Sequence, residues 1–141
     1  MNKNALIKIV GRQKYGRDRD KIEMTTVGTI EEKDDCFILR YKEEQEPPME
    51  SLNTKLTIKK DESSVELMRT GKHGSLLLIE RSKRNLCNYA TGVGDILMGI
   101  YGKNIENSFD NGEGSFFFSY DIDVNGALTS ENEVRVDVKI N

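Results

Sequence analysis

The chain has 141 residues, 36% of them hydrophobic and 32% charged, which suits one globular domain, residues 1–141, with one core and leaves no need for a second. The formal charge of −3 argues against general nucleic-acid affinity, although residues 1–21 carry seven Lys and Arg against two Asp and Glu while residues 31–50 carry three against eight. Cys36 and Cys87 alone are too few for a secreted disulfide framework, the apolar residues before Gly11 are too short and too broken by Lys8 for a signal-peptide core, and no run reaches membrane-spanning length, so the expected compartment is the cytoplasm.

In chain order, Ala5, Ile7, Ile9 and Gly11 share the cleaner apolar face of a first strand. RQKYGRDRDK, from Arg12 through Lys14, Tyr15, Gly16, Arg17 and Arg19 to Lys21, reads as a charged connecting loop. Ile22, Met24 and Thr26 begin a second strand that Gly28 breaks or bends. After an acidic turn, Phe37, Leu39, Tyr41 and Glu43 share one face of a third strand, which Pro47-Pro48 stops. Leu52, Thr54, Leu56 and Ile58 alternate with polar residues in the fourth, and Val65, Leu67 and Arg69 share a face of the fifth.

Beyond a turn at residues 71–74, Leu76, Leu77, Leu78 and Ile79 form a nearly continuous apolar run that predicts a strand covered on both sides. Cys87, Tyr89 and Thr91 share a face of the next strand, Gly92 and Gly94 allow a sharp bend, and Ile96, Met98 and Ile100 follow. Asn111-Gly112 and Asn125-Gly126 are hairpin turn signals on either side of a long strand with Phe116, Phe118, Tyr120, Ile122 and Val124 on one face. Val134, Val136, Val138 and Ile140 alternate through the last strand.

About ten short strands with even turn spacing and no helical period predict an all-β fold, a single antiparallel up-and-down β-barrel. Closure is favoured because an open meander of this length leaves two exposed edges.

The order of Tyr41-Lys42-Glu43, Thr54-Lys55-Leu56-Thr57-Ile58, Val65-Glu66-Leu67-Met68-Arg69, Tyr89-Ala90-Thr91 with Gly94, and then Phe116 to Tyr120 resembles the YwiB-like family of small bacterial proteins. The resemblance runs from about Ala5 to Ile140 and implies a calycin (lipocalin-like) barrel in a bacterial cytoplasm, without any catalytic residue.

Chemistry is then argued from what points inward. Strand parity sends Tyr41, Glu43, Arg69, Tyr89, Thr91 and Tyr120 into the interior, where Glu43 and Arg69 would answer each other's charge. Those six are the expected ligand-binding residues of a barrel that holds a small apolar or anionic molecule, with Arg69 anchoring an anionic head. The bland reading is an internal ion pair that sets strand register. The alternative function is a structural or interaction module that meets protein or RNA through its outer loops; nucleic acid is not the expected partner, since only the loop at residues 12–21 would support it. An enzyme using the Tyr, Glu and Arg cluster for acid–base work has no motif behind it.

No cofactor is expected. Thr91-Gly92-Val93-Gly94-Asp95 is glycine-rich but leads into a strand rather than a helix N-terminus, and His73 is the only histidine, which disfavours a metal site. Asp110-Asn111-Gly112-Glu113 lacks the ligand spacing of a calcium loop and reads as a turn.

Overall fold

Period-two alternation of apolar and polar residues, punctuated by turn residues, folds the chain into ten antiparallel strands of one sheet in the computed structural model. It describes residues 2–43, 52–70, 75–91 and 94–141, with the backbone only at 89–91 and 95; the expected Pro47-Pro48 stop, the turn at 71–74 and Gly92 lie outside the described residues. The strands are β1 (Asn2–Tyr15), β2 (Asp18–Glu32), β3 (Cys36–Glu43), β4 (Leu52–Lys59), β5 (Ser64–Thr70), β6 (Ser75–Glu80), β7 (Arg84–Thr91), β8 (Gly94–Asn107), β9 (Glu113–Val124) and β10 (Ala127–Ile140). Every strand pairs with its neighbours in sequence except across the break between β6 and β7, and β1 also pairs with β10, so the order is up-and-down as expected.

The charged segment at residues 12–21 is not a loop. β1 continues to Tyr15 and β2 starts at Asp18, because Gly16, at φ +57°, allows the chain to reverse within two residues. Nor does Gly28 break β2, which stays paired to β1 throughout. Gly28 is instead a place of close approach: a Cβ there would come within 2.3 Å of the Arg40 carbonyl oxygen. The Asn-Gly turns form as expected, with Asn111 and Gly112 at φ +51° and +84° and Asn125 and Gly126 at +54° and +83°.

Inward-facing residues lie in rows across the sheet. Phe37, Ile58, Val65 and Ile79 make one row through β3 to β6, and Leu39, Leu56, Leu67 and Leu77 make the next. Across the barrel, Ile7–Val138 and Ile9–Val136–Phe116 continue the core. The end that carries both chain termini is shut by aromatic rings, Phe37 lying 5.3 Å from Phe109 and 5.4 Å from Phe116, with Phe109 stacked on Phe116 at 5.8 Å. Lys60 Nζ sits 5.2 Å from the Phe37 ring centroid on that side.

The ladder does not close. β6 and β7 are the two edges of the sheet, and the gap between them is bridged by other means. At the plugged end the turn after β6 stitches onto β8, with Ser82 N donating to Gly102 O at 2.9 Å and Gly102 N to Lys83 O at 3.2 Å. A Cβ on Gly102 would lie 2.2 Å from the Glu80 carbonyl oxygen, so glycine permits this crossing. Further along, side chains of β7 replace the missing backbone ladder: Asn85 Nδ2 donates to Leu78 O at 3.4 Å and Cys87 Sγ to Leu76 O at 2.9 Å. Outside, Arg84 spans β8 over Gly99 to grip Asp123 at 2.6 and 2.8 Å, which ties β7 to β9.

β6 also departs from its expected coverage. Leu77 and Ile79 are buried, but Leu76 is 49% exposed, because nothing among the described residues packs on the outer face. Parity therefore governs this strand despite its continuous apolar run. Replacing Leu77 by Ala should cost about 2–5 kcal/mol and Phe116→Ala about 3–5 kcal/mol in urea unfolding, whereas Leu76→Ala should cost less than about 1 kcal/mol.

Candidate functional site

Towards the end that carries the β1–β2 hairpin, both halves of the interior turn from apolar to polar. Beyond the leucine row, Tyr41, Thr54 and Arg69 stand side by side on β3, β4 and β5, with Glu43 one inward step further along β3. Across the barrel, Asp20, Gln13, Asn132 and Tyr120 form the matching row on β2, β1, β10 and β9. Between these rows lies a cavity of about 440 Å³ whose floor includes Ile9, Met24, Leu56, Leu67, Phe118 and Val136 and whose rim includes Arg12, Gln13, Asp20 and Glu133. Its size falls within the range of small-molecule sites. A shallower depression on the outer side of the hairpin shares Asn132 and that rim.

Four of the six expected site residues, Tyr41, Glu43, Arg69 and Tyr120, line this cavity. The backbones of Tyr89 and Thr91 belong to β7, but their side chains lie outside the described residues.

Glu43 and Arg69 pair, as parity suggested. Arg69 Nη2 donates to Glu43 Oε1 at 3.4 Å, and Nε lies 3.2 Å from Oε2 at an angle too poor for a hydrogen bond, so the contact is mainly electrostatic. The pair sits at the lip, with the Arg69 side chain 36% exposed. Both tyrosines are deeper. Burial pushes the Tyr41 phenol well above its ordinary value, with Glu43 adding to the shift and Arg69 opposing it. Burial also raises Tyr120, again against Arg69. At neutral pH both hydroxyls are therefore protonated and able to donate or accept.

Three polar residues inside were not singled out from sequence as site residues: Asn132, Ser130 and Thr54, all buried. Stepping back by two from Val134 along β10 reaches Asn132 and Ser130, so the same parity that placed the core valines also places these. Asn132 Nδ2 donates to Ser130 Oγ at 3.0 Å and to the Tyr120 carbonyl at 3.4 Å. Its Oδ1, and Thr54 Oγ1, are buried without a hydrogen-bond partner among the described residues.

The remaining candidates have plainer places. His73 lies outside the described residues, and no group of three or more His, Cys, Asp or Glu among the described residues could hold a metal. Asp110 and Glu113 exchange backbone hydrogen bonds at 2.9 and 3.2 Å across a turn. On the hairpin, Lys14 lies 3.8 Å from Glu131 and Lys21 lies 2.7 Å from Glu23, while the Tyr15 hydroxyl donates to Gln13. No helix of the described chain is long and apolar enough to cross a membrane.

A family model described as a domain of unknown function, DUF1934, matches residues 7–136. Among solved structures, the crystal structure of the ywiB protein from Bacillus subtilis is similar, with a TM-score of 0.85 over 99% of this chain and 93% of that one at 16% sequence identity, which shows a shared fold. No curated protein matches.

Two measurements check this geometry. Unfolded tyrosine ionises near pH 10, whereas Tyr41 and Tyr120 are held protonated by the fold, so their contribution is fully present below about pH 10 and is lost as pH rises towards their folded values. The urea midpoint should fall steeply above about pH 10, and Tyr41→Phe or Tyr120→Phe should each flatten the decline by about 1 kcal/mol per pH unit. A double-mutant cycle on Glu43→Gln and Arg69→Met should give a coupling of about 1 kcal/mol that shrinks in high salt, as suits a half-exposed pair.

Proposed function

The chain belongs to the DUF1934 family, and on that premise we propose that it is a non-catalytic binding protein of the bacterial cytoplasm, holding a small, mostly apolar molecule in the barrel interior. The observation that carries this reading is the cavity itself: an apolar floor above an aromatic plug, opening through a polar rim at the other end. The cavity reaches down to Leu56, Leu67, Phe118 and Val136, which belong to the buried core, so an apolar group entering from the polar mouth meets apolar walls.

The anionic head group expected from sequence would have to share the Arg69 side chain with Glu43. Burial holds the cavity's two tyrosines protonated, so neither serves as a base near neutral pH. Buried free thiols at Cys36 and Cys87 suit a reducing compartment. The alternative, an RNA or protein partner on the outer surface, draws on the basic hairpin, but Glu131 and Glu23 partly neutralise its lysines.

N-phenyl-1-naphthylamine, a neutral apolar fluorophore, should bind one molecule per chain with blue-shifted emission and raise the melting temperature. Leu67→Trp, which fills the floor, should remove that binding while the circular dichroism stays β-rich. Folded protein that takes up no fluorophore, or takes it up equally after Leu67→Trp, would sink the reading.

A further inference from the structure

Resting on the binding reading, we infer that the head group taken by this cavity is an uncharged hydrogen-bond donor, an alcohol O–H or an amide N–H, received by the side-chain oxygen of Asn132. Asn132 is 3% exposed, lies in the polar row beside Tyr120 and lines the cavity. Its orientation is set chemically. The amide nitrogen faces the backbone carbonyl of Tyr120, which only accepts, so turning the group round would oppose two oxygens. Oδ1 is thereby directed away from that carbonyl, buried and without a partner among the described residues. A buried acceptor left unmade is costly, and a donor delivered by a ligand removes that cost.

The charges around the cavity argue against the two ionic alternatives. Its lining carries Arg12 and Arg69 against Asp20, Glu43 and Glu133, one more negative charge than positive. Arg69 is engaged by Glu43 and Arg12 is exposed at the rim, where water screens it, so a carboxylate entering the interior meets no uncommitted cation there among the described residues. An ammonium fares no better: Glu43 is engaged by Arg69, and Asp20 and Glu133 are exposed at the rim, where water screens them. Neutral tyrosine hydroxyls at Tyr41 and Tyr120 complete surroundings suited to an uncharged polar head.

The test is competition against bound N-phenyl-1-naphthylamine by four probes with the same eight-carbon skeleton: octanamide, octan-2-one, octanoate and octylammonium. Octanamide should displace the fluorophore at about tenfold lower concentration than octan-2-one, which only accepts, and lower still than the two ions. Asn132→Leu should bring octanamide within about twofold of octan-2-one, both measured against that variant's own fluorophore affinity, and Asn132→Ala serves if the leucine variant does not fold. Octanoate or octylammonium binding tightest, octan-2-one matching octanamide, or an octanamide preference that survives loss of Asn132 would each overturn the head-group assignment and leave the binding barrel standing. Failure of the fluorophore to bind at all would overturn both.

Discussion

β1 is hydrogen-bonded on both sides along nearly its whole length, to β2 from Asn2 to Tyr15 and to β10 from Ala5 to Lys14. This double pairing joins the beginning of the chain to its end. A ten-strand meander would otherwise be an open, twisted sheet with strands one and ten as its edges; once β1 and β10 pair, the sheet curls and the edges move to β6 and β7. The register also decides which residues face each other across the seam of the termini. Ile7 meets Val138, Ile9 meets Val136 and Gln13 meets Asn132, so a one-residue slip would turn the valines outward and draw Glu133 and Arg135 in.

From that register follows the gradient along the barrel axis. Both halves present apolar rows near the termini and polar rows near the β1–β2 hairpin, so aromatic rings seal one end and side chains that need water or a partner gather at the other. The cavity lies where the two meet. The Glu43–Arg69 pair at its lip links β3 to β5 across β4 at modest energy, whereas Asn132 and Thr54 are buried and incompletely bonded.

The discontinuity between β6 and β7 shows how an incomplete barrel manages its edges. Two backbone edges lie near each other without a ladder, and Asn85 and Cys87 supply donors to the carbonyls that would otherwise go unpaired. Close crossings at Gly102 and the Arg84–Asp123 pair over Gly99 bring β7 and β8 tightly against their neighbours. At Gly102 a side chain would meet the Glu80 backbone and at Gly99 it would displace the Arg84–Asp123 pair, so these two glycines serve close approach, whereas Gly94, at φ +131°, has open space around it.

Alternation along each strand is a local property, and from it the sequence by itself determined the all-β class, the strand count, the inward faces and the Asn-Gly hairpins. It also placed Tyr41, Glu43, Arg69 and Tyr120 inside, because parity carries from a core residue to its neighbour two positions on. Only the tertiary structure decided where the sheet fails to close, because edge position depends on which distant strands pair, and nothing within residues 75–91 encodes that. The same limit explains the exposed outer face of Leu76 and Leu78, since a continuous apolar run does not say whether anything will cover it. Asn132 was legible as inward but not as incompletely bonded: whether a buried amide finds partners depends on atoms brought to it by other strands across the barrel.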